Sequence, residues 1–244
     1  TFGIDEMARA RFRGQIEREK SGERREEEGG SPGDSVALQL IPIIELCRHS
    51  PGLVTAMGVS MGLTAAAILA KGTLRQKERW ALPLLTLEKI GAWAITEPGS
   101  GSDAFGSMKS TARRDGQGGY VLNGSKTFIT NGPFADIIVF ICKLEEPEVA
   151  PAARRVLTFV LEKGTPGLEQ SKPLRKMGLH SSPTGEVFLR DVRVGADRLL
   201  GEDERAKESR DGARATFSIE RAGVAAMALG IVERCLELSL RYAR

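Results

Sequence analysis

The stretch Trp93-Ala94-Ile95-Thr96-Glu97-Pro98-Gly99-Ser100-Gly101-Ser102-Asp103 runs from an apolar strand into a Pro/Gly/Ser turn, and Lys126-Thr127-Phe128-Ile129-Thr130-Asn131-Gly132 does the same further along. Pro98 has no N–H and cannot continue a ladder. The glycines and serines after it form a loop whose backbone N–H groups can face an anionic or carbonyl-rich ligand. The second stretch sets hydroxyls and a bulky ring at a strand edge. Around these two, residues 91–194 divide into short, β-branched, turn-bounded segments at 120–122, 126–130, 137–142, 156–161 and 186–190. Asn123-Gly124, between the first two, is a strong hairpin signal. Residues 145–155 read as a solvated Pro/Ala/Glu loop.

Upstream the period changes to that of helices. Residues 7–25 mix Arg, Glu and Lys around a few apolar positions, as a mostly solvated helix does. Gly29-Gly30-Ser31-Pro32-Gly33 breaks the chain, and Asp34 or Ser35 is placed to cap a Leu/Ile-rich helix through Cys47 despite Pro42. The charge-free run 52–70 has Ser50 as N-cap, Pro51 at its first position and Gly72 after its last turn. Its length would cross a membrane, but its Ala, Gly, Ser and Thr content and missing aromatic belt favour a buried helix, and no membrane span is expected. Thr73-x-x-Gln76 is a capping box opening a short helix that ends near Trp80. Downstream, 201–211 is a charged linker into a last long helix, 213–244. Helices, then strands, then helix is an α+β order without the alternation of a doubly wound sheet. The predicted organisation is an N-terminal helical domain over 1–90, a central β-barrel-like domain over 91–200, and at 201–244 a linker with the first helix of an incomplete C-terminal helical bundle.

The 244 residues suffice for one large or two ordinary domains. A net charge of +3 with 27% charged residues is too slight and mixed for a nucleic-acid partner. Cys47, Cys142 and Cys235 are odd in number and set in apolar surroundings, which fits neither a disulfide framework nor a metal cluster and suits a reducing cytoplasm. No charged segment followed by an apolar run stands at the start of the sequence, so secretion is not expected. No G-x-G-x-x-G follows a strand, so a Rossmann dinucleotide site is not expected. His49 at a helix end and His180 in a turn have no partner at metal-ligand spacing, and no metal is predicted.

Thr96-Glu97-Pro98-x-x-Gly101-Ser102-Asp103 and Phe128-Ile129-Thr130-Asn131-Gly132, in order and at this spacing, resemble the flavin-binding strands of the acyl-CoA dehydrogenase family. Lys176-Met177-Gly178, followed by Ser182 and Thr184, and Phe188 with Asp191-Val192-Arg193-Val194 are similar to two further family segments. The resemblance implies an FAD-dependent enzyme that takes a proton from Cα of an acyl-CoA and passes a hydride from Cβ to the flavin, giving a trans-2-enoyl-CoA in fatty-acid or related acyl catabolism. It implies cofactor contacts at Trp93, Ile95, Thr96, Gly101, Ser102, Phe128, Ile129 and Thr130, and substrate contacts at Ser102 and Arg221. It further implies an electron-transferring flavoprotein as acceptor and a homo- or hetero-oligomer, a dimer or tetramer. Each local feature alone has a plainer reading: the Gly/Ser loop as a turn, Trp93 and Phe128 as core aromatics.

Most of the family draws its catalytic Glu from the C-terminal bundle. Members resembling isovaleryl- and long-chain acyl-CoA dehydrogenases carry it on the bundle's first helix, just before an Arg. Here that helix reads Phe217-Ser218-Ile219-Glu220-Arg221-Ala222-Gly223, so the resemblance assigns the base to Glu220; otherwise the pair is an ordinary solvated helix edge. Ser218 stands where many members have Asp. Glu27-Glu28-Gly29-Gly30 is similar to the end of the family's P-E-E-x-G-G loop, and the R-x-x-F-G segment is not reached. The chain therefore reads as part of a longer protein. Two other readings stand beside the enzyme: a non-catalytic or half-site subunit of a heteromeric dehydrogenase, and an acyl-thioester binding module without flavin.

Overall fold

A computed structural model describes residues 4–21, 32–204 and 210–244. The Gly29–Gly30 break lies outside them. Among the described residues five longer helices, seven strands and a 3-10 turn at Ala196–Arg198 follow in the predicted α+β order: α1 (Ile4–Ser21), α2 (Pro32–Cys47), α3 (Pro51–Lys71), α4 (74–85), then β1 (Gly91–Ala94), β2 (Thr111–Arg114), β3 (Tyr120–Thr130), β4 (Ile137–Leu144), β5 (Val156–Glu162), β6 (Leu168–Gln170) and β7 (Thr184–Val194), and last α5 (Arg210–Ala243). α2 begins at Pro32, upstream of the predicted caps Asp34 and Ser35, because a proline fits the first turn, where its missing N–H costs nothing.

The strands form one sheet in the order β1-β4-β2-β3-β7-β6, with β5 on the other side of β4. β1 and β2 run parallel to β4 and meet different parts of the same edge. Period-two alternation along β4 builds two cores. Ile138, Phe140, Cys142 and Leu144 enter one with Ala92, Ala94, Leu122, Phe159, Val187 and Val192, all from strands, so the sheet buries this face against itself, as a barrel-like unit does. Ile137, Val139 and Ile141 enter the other with Phe12, Ile16, Ala65, Ile68, Trp80 and Leu84, where the helices lie on the sheet. β4 is buried on both faces, and its sequence accordingly reads as a continuous apolar run.

Three local expectations are corrected. Asn123-Gly124 does not make a hairpin: β3 runs straight through it, with a register shift against β7. The Asn123 side chain bonds the Asp191 backbone N–H (2.8 Å), and a Cβ at Gly124 would lie 2.2 Å from Ser110 Oγ, so the pair forms a bulge. The true hairpin joins β2 to β3, where the Asp115 carboxylate accepts the N–H groups of Gln117 and Gly119. Second, Ser50 makes no side-chain cap, although Pro51 opens α3 as expected. Third, α3 is not a wholly buried helix. Thr64, Ala65 and Ile68 pack inward and Ser60 Oγ accepts the Gly91 N–H (2.9 Å), while Leu53 and Gly62 face outward. Among the described residues it is the one helix long and apolar enough to cross a membrane.

The Thr73–Gln76 capping box forms as predicted, with both reciprocal bonds, and Gln76 Nε2 also reaches the carbonyls of Asp197 (2.9 Å) and Leu199 (2.7 Å). It thus ties the start of α4 to the end of the β unit. α5 packs on α2. A Cβ at Gly230 would lie 2.2 Å from the Ile44 carbonyl, and Arg48 bridges Glu233 (2.9 Å) and Glu237 (3.1 Å).

Candidate functional site

The two quoted stretches meet. Beyond β1 the chain continues extended, and the Thr96 carbonyl accepts the Thr127 N–H of β3 (2.9 Å). Immediately afterwards β3 loses register with β7, between Lys126 and Ile129. At this bulge Phe128 adopts a left-handed backbone (φ 56°), uncommon for a bulky residue, and its ring is 69% exposed. A costly backbone that turns a large aromatic ring outward marks a place prepared for contact. Asn131, also left-handed (φ 64°), ends the strand, and its buried amide bonds the carbonyls of Ala56 (2.8 Å) and Gly91 (2.9 Å).

The turn after Thr96 is internally braced. Glu97 and Ser100 exchange backbone bonds (3.0 Å each) around Pro98-Gly99, and Ser100 Oγ donates to the Asp103 carbonyl (2.8 Å). Gly101 and Ser102 are exposed at its tip, and a Cβ at Gly99 or Gly101 would meet nothing. Underneath, Glu97 and Lys126 are buried together. Lys126 Nζ donates to Glu97 Oε1 (2.9 Å) and to the Ile95 carbonyl (3.0 Å); Glu97 also accepts the N–H groups of Lys109 (2.7 Å) and Ser110 (2.9 Å). Burial pulls the Glu97 carboxyl upward, but the bonds from Lys126, Ser110 and Lys109 outweigh it and hold it below the usual range. Burial lowers the Lys126 ammonium, against the opposing pull of Glu97.

The predicted residues divide into two groups. Ile95 and Ile129 point into the helix–sheet and strand cores respectively, so only their backbone can meet a ligand. Trp93 is half-buried, and its Nε1–H is enclosed without a protein partner. Thr96 and Thr130 are half-buried; Phe128, Gly101 and Ser102 are exposed. The eight lie on β1, the turn after it and the end of β3, and the Thr127–Thr96 bond joins the two runs, with the Trp93 side chain packed against the helix–sheet core. Glu220 and Arg221 lie exposed on α5, whose principal contact is with α2. Partial desolvation nonetheless raises the Glu220 carboxyl. Ser218 side-chain placement lies outside the described residues. The sequence reading singled out neither Lys126 nor Glu97, although a Lys and a Glu inside otherwise apolar strand ends were the visible sign of this buried pair. No three His, Cys, Asp or Glu side chains gather as a metal site among the described residues.

Residues 22–88 match the family description "Acyl-CoA dehydrogenase, N-terminal domain", and residues 92–192 match "Acyl-CoA dehydrogenase, middle domain". The chain belongs to the acyl-CoA dehydrogenase family. The members of this family are FAD-dependent oxidoreductases. Short-chain-specific acyl-CoA dehydrogenase of Megasphaera elsdenii is 35% identical over 241 residues, 99% of this chain and 60% of that protein. The butyryl-CoA dehydrogenase structure from the same organism superposes with a TM-score of 0.77 at 36% identity, covering 98% of this chain and 59% of that one. A glutaryl-CoA dehydrogenase from Mycobacterium smegmatis in complex with FADH2 gives 0.74 at 28% identity, over 83% and 49%. The chain thus spans about 60% of the length of the first of these dehydrogenases.

Proposed function

We propose that these residues are the N-terminal, middle and first bundle-helix portions (1–90, 91–200 and 201–244) of an FAD-dependent acyl-CoA dehydrogenase that forms a trans-2-enoyl-CoA. The observation that carries this is the outward ring of Phe128 on a left-handed bulge, hydrogen-bonded through its neighbour to the Ile95–Thr96 edge. The residues present fit a flat, heteroatom-rich ring system. The Trp93 Nε1–H is enclosed without a protein partner, and a Cβ at Gly99 or Gly101 would meet nothing. When bound, FAD supplies the acceptor for the hydride leaving Cβ.

Phe128 packs against the cofactor, while the backbone at Ile95 and Thr96, the Thr130 hydroxyl, and the Gly101–Ser102 turn orient it. Ser102 also touches the acyl thioester. Glu220 removes the Cα proton, and a carboxyl raised by desolvation is a stronger base than a solvated one. Arg221 positions that helix at the acyl chain. The outward apolar side chains Leu38, Ile41, Val224, Val232 and Leu236 on α2 and α5 suit further bundle helices and a dimeric or tetrameric assembly. An electron-transferring flavoprotein is the proposed acceptor, fatty-acid or related acyl catabolism the setting and the cytoplasm the site, where the three thiols, in no disulfide, are at home.

The test is anaerobic titration of the natural full-length protein with saturated acyl-CoAs of graded length while its visible absorption is recorded. A flavin band that bleaches with one chain class, and more than about 100-fold slower in Glu220→Gln, supports the enzyme and its base. A band that no thioester moves points to a non-catalytic subunit. Thioester binding without any flavin band points to a binding module.

A further inference from the structure

Glu97 and Lys126 stand directly beneath the residues proposed above to meet FAD, yet neither faces outward: Glu97 is 6% exposed and Lys126 0%. A buried ion pair is weak evidence for stability, because desolvation offsets much of the attraction. What this pair does supply is direction. Of the three Lys126 Nζ protons, one goes to Glu97 Oε1 and one to the Ile95 carbonyl, and the ammonium lies 5.2 Å from the centre of the Phe140 ring. In a trans peptide the carbonyl oxygen of one residue and the N–H of the next point opposite ways. Drawing the Ile95 carbonyl inward therefore turns the Thr96 N–H outward. The carbonyl of Thr96 is then in place to accept the Thr127 N–H, which fixes the residue before Phe128. Through its other bonds Glu97 pins the far end of the turn at Lys109 and Ser110.

We infer that Glu97 and Lys126 are positioning residues of the cofactor site: one buried pair sets the outward Thr96 N–H, the Pro98–Lys109 turn and the Phe128 bulge in register with each other. This rests on the reading that these three elements meet FAD. The frame is cross-strand: Lys126 of β3 holds the Ile95 carbonyl just beyond β1, and both charges stay buried.

The test uses the natural full-length protein and the double variant Glu97→Gln/Lys126→Met, which keeps side-chain size and leaves no lone buried charge. The double variant is expected to melt within about 5 °C of the parent, to bind FAD at least about ten-fold more weakly with an altered visible band, and to be cut by trypsin at Lys109 faster than the parent. Parent-like FAD affinity, parent-like spectrum and equal protection of Lys109 would overturn the inference and leave the pair a structural one. If the parent itself binds no FAD, the proposed function falls, and Lys109 cleavage alone judges the frame: faster in the double variant supports it, unchanged overturns it. Should the double variant not fold, Glu97→Gln alone is judged on the same FAD and trypsin readouts.

Discussion

At Phe128 the proposed cofactor contact stands against the backbone's own preference. A bulky side chain at φ 56° carries a backbone cost of about 1–2 kcal/mol, and its ring is too exposed to recover much of that by burial. Glycine has no Cβ penalty there. Phe128→Gly is therefore expected to stabilise the cofactor-free protein by up to about 1 kcal/mol in urea unfolding, while weakening FAD binding. A lower urea midpoint without cofactor would mean that the ring packs on protein. Residue identity was legible in the sequence here, because the F-I-T-N-G order marks the strand. The left-handed turn at its head was not, since it arises only where β3 slips against β7.

The Asn123-Gly124 pair shows the same limit for an element. Taken locally it is a hairpin turn, but continuous pairing of both its flanks with β7 and the close approach of Ser110 turn it into a bulge inside one long strand. A methyl group at Gly124 would collide with Ser110 Oγ and Cβ, in a backbone region that side chains rarely adopt (φ 156°). Gly124→Ala is expected to cost at least about 2 kcal/mol by chemical denaturation, and Ser110→Gly in the same chain to recover part of it. If the single substitution were neutral, the close packing of β2's start on β3 would be wrong. The helix signals fared better: the Thr73–Gln76 capping box, Pro51 at a first turn and Gly72 after a last turn need only neighbours in sequence.

At the scale of the whole molecule the carboxylates set an acid limit. Arg114 foremost, with help from the Tyr120 hydroxyl and Arg155 and against some opposing desolvation, brings Glu204 down to about 2 from 4.5. Glu97, Glu146 and Glu162 are lowered too. Between pH 4.5 and 2 the unfolded chain takes up protons that the folded one refuses. The stability these groups contribute is thus present above about pH 4.5 and lost as the pH falls toward 2. Glu204 alone accounts for about 1–3 kcal/mol of it. Urea midpoints measured across that range should fall steeply, and less steeply in Glu204→Gln; parallel curves would remove Glu204 from the account. Glu204 joins β2, β3 and the β4–β5 connection at the start of the linker, a convergence of distant residues with no local sign. By itself the sequence determined the α+β order, most strand cores and the two motif stretches, because periodicity, turn chemistry and short motifs are properties of neighbours. Only the tertiary structure decided that Asn123-Gly124 bulges, that α3 is half open, and that Lys126 reaches Ile95 and Glu97. Those depend on which groups long-range packing deprives of water, and a buried donor or charge then takes whatever partner the fold brings within reach.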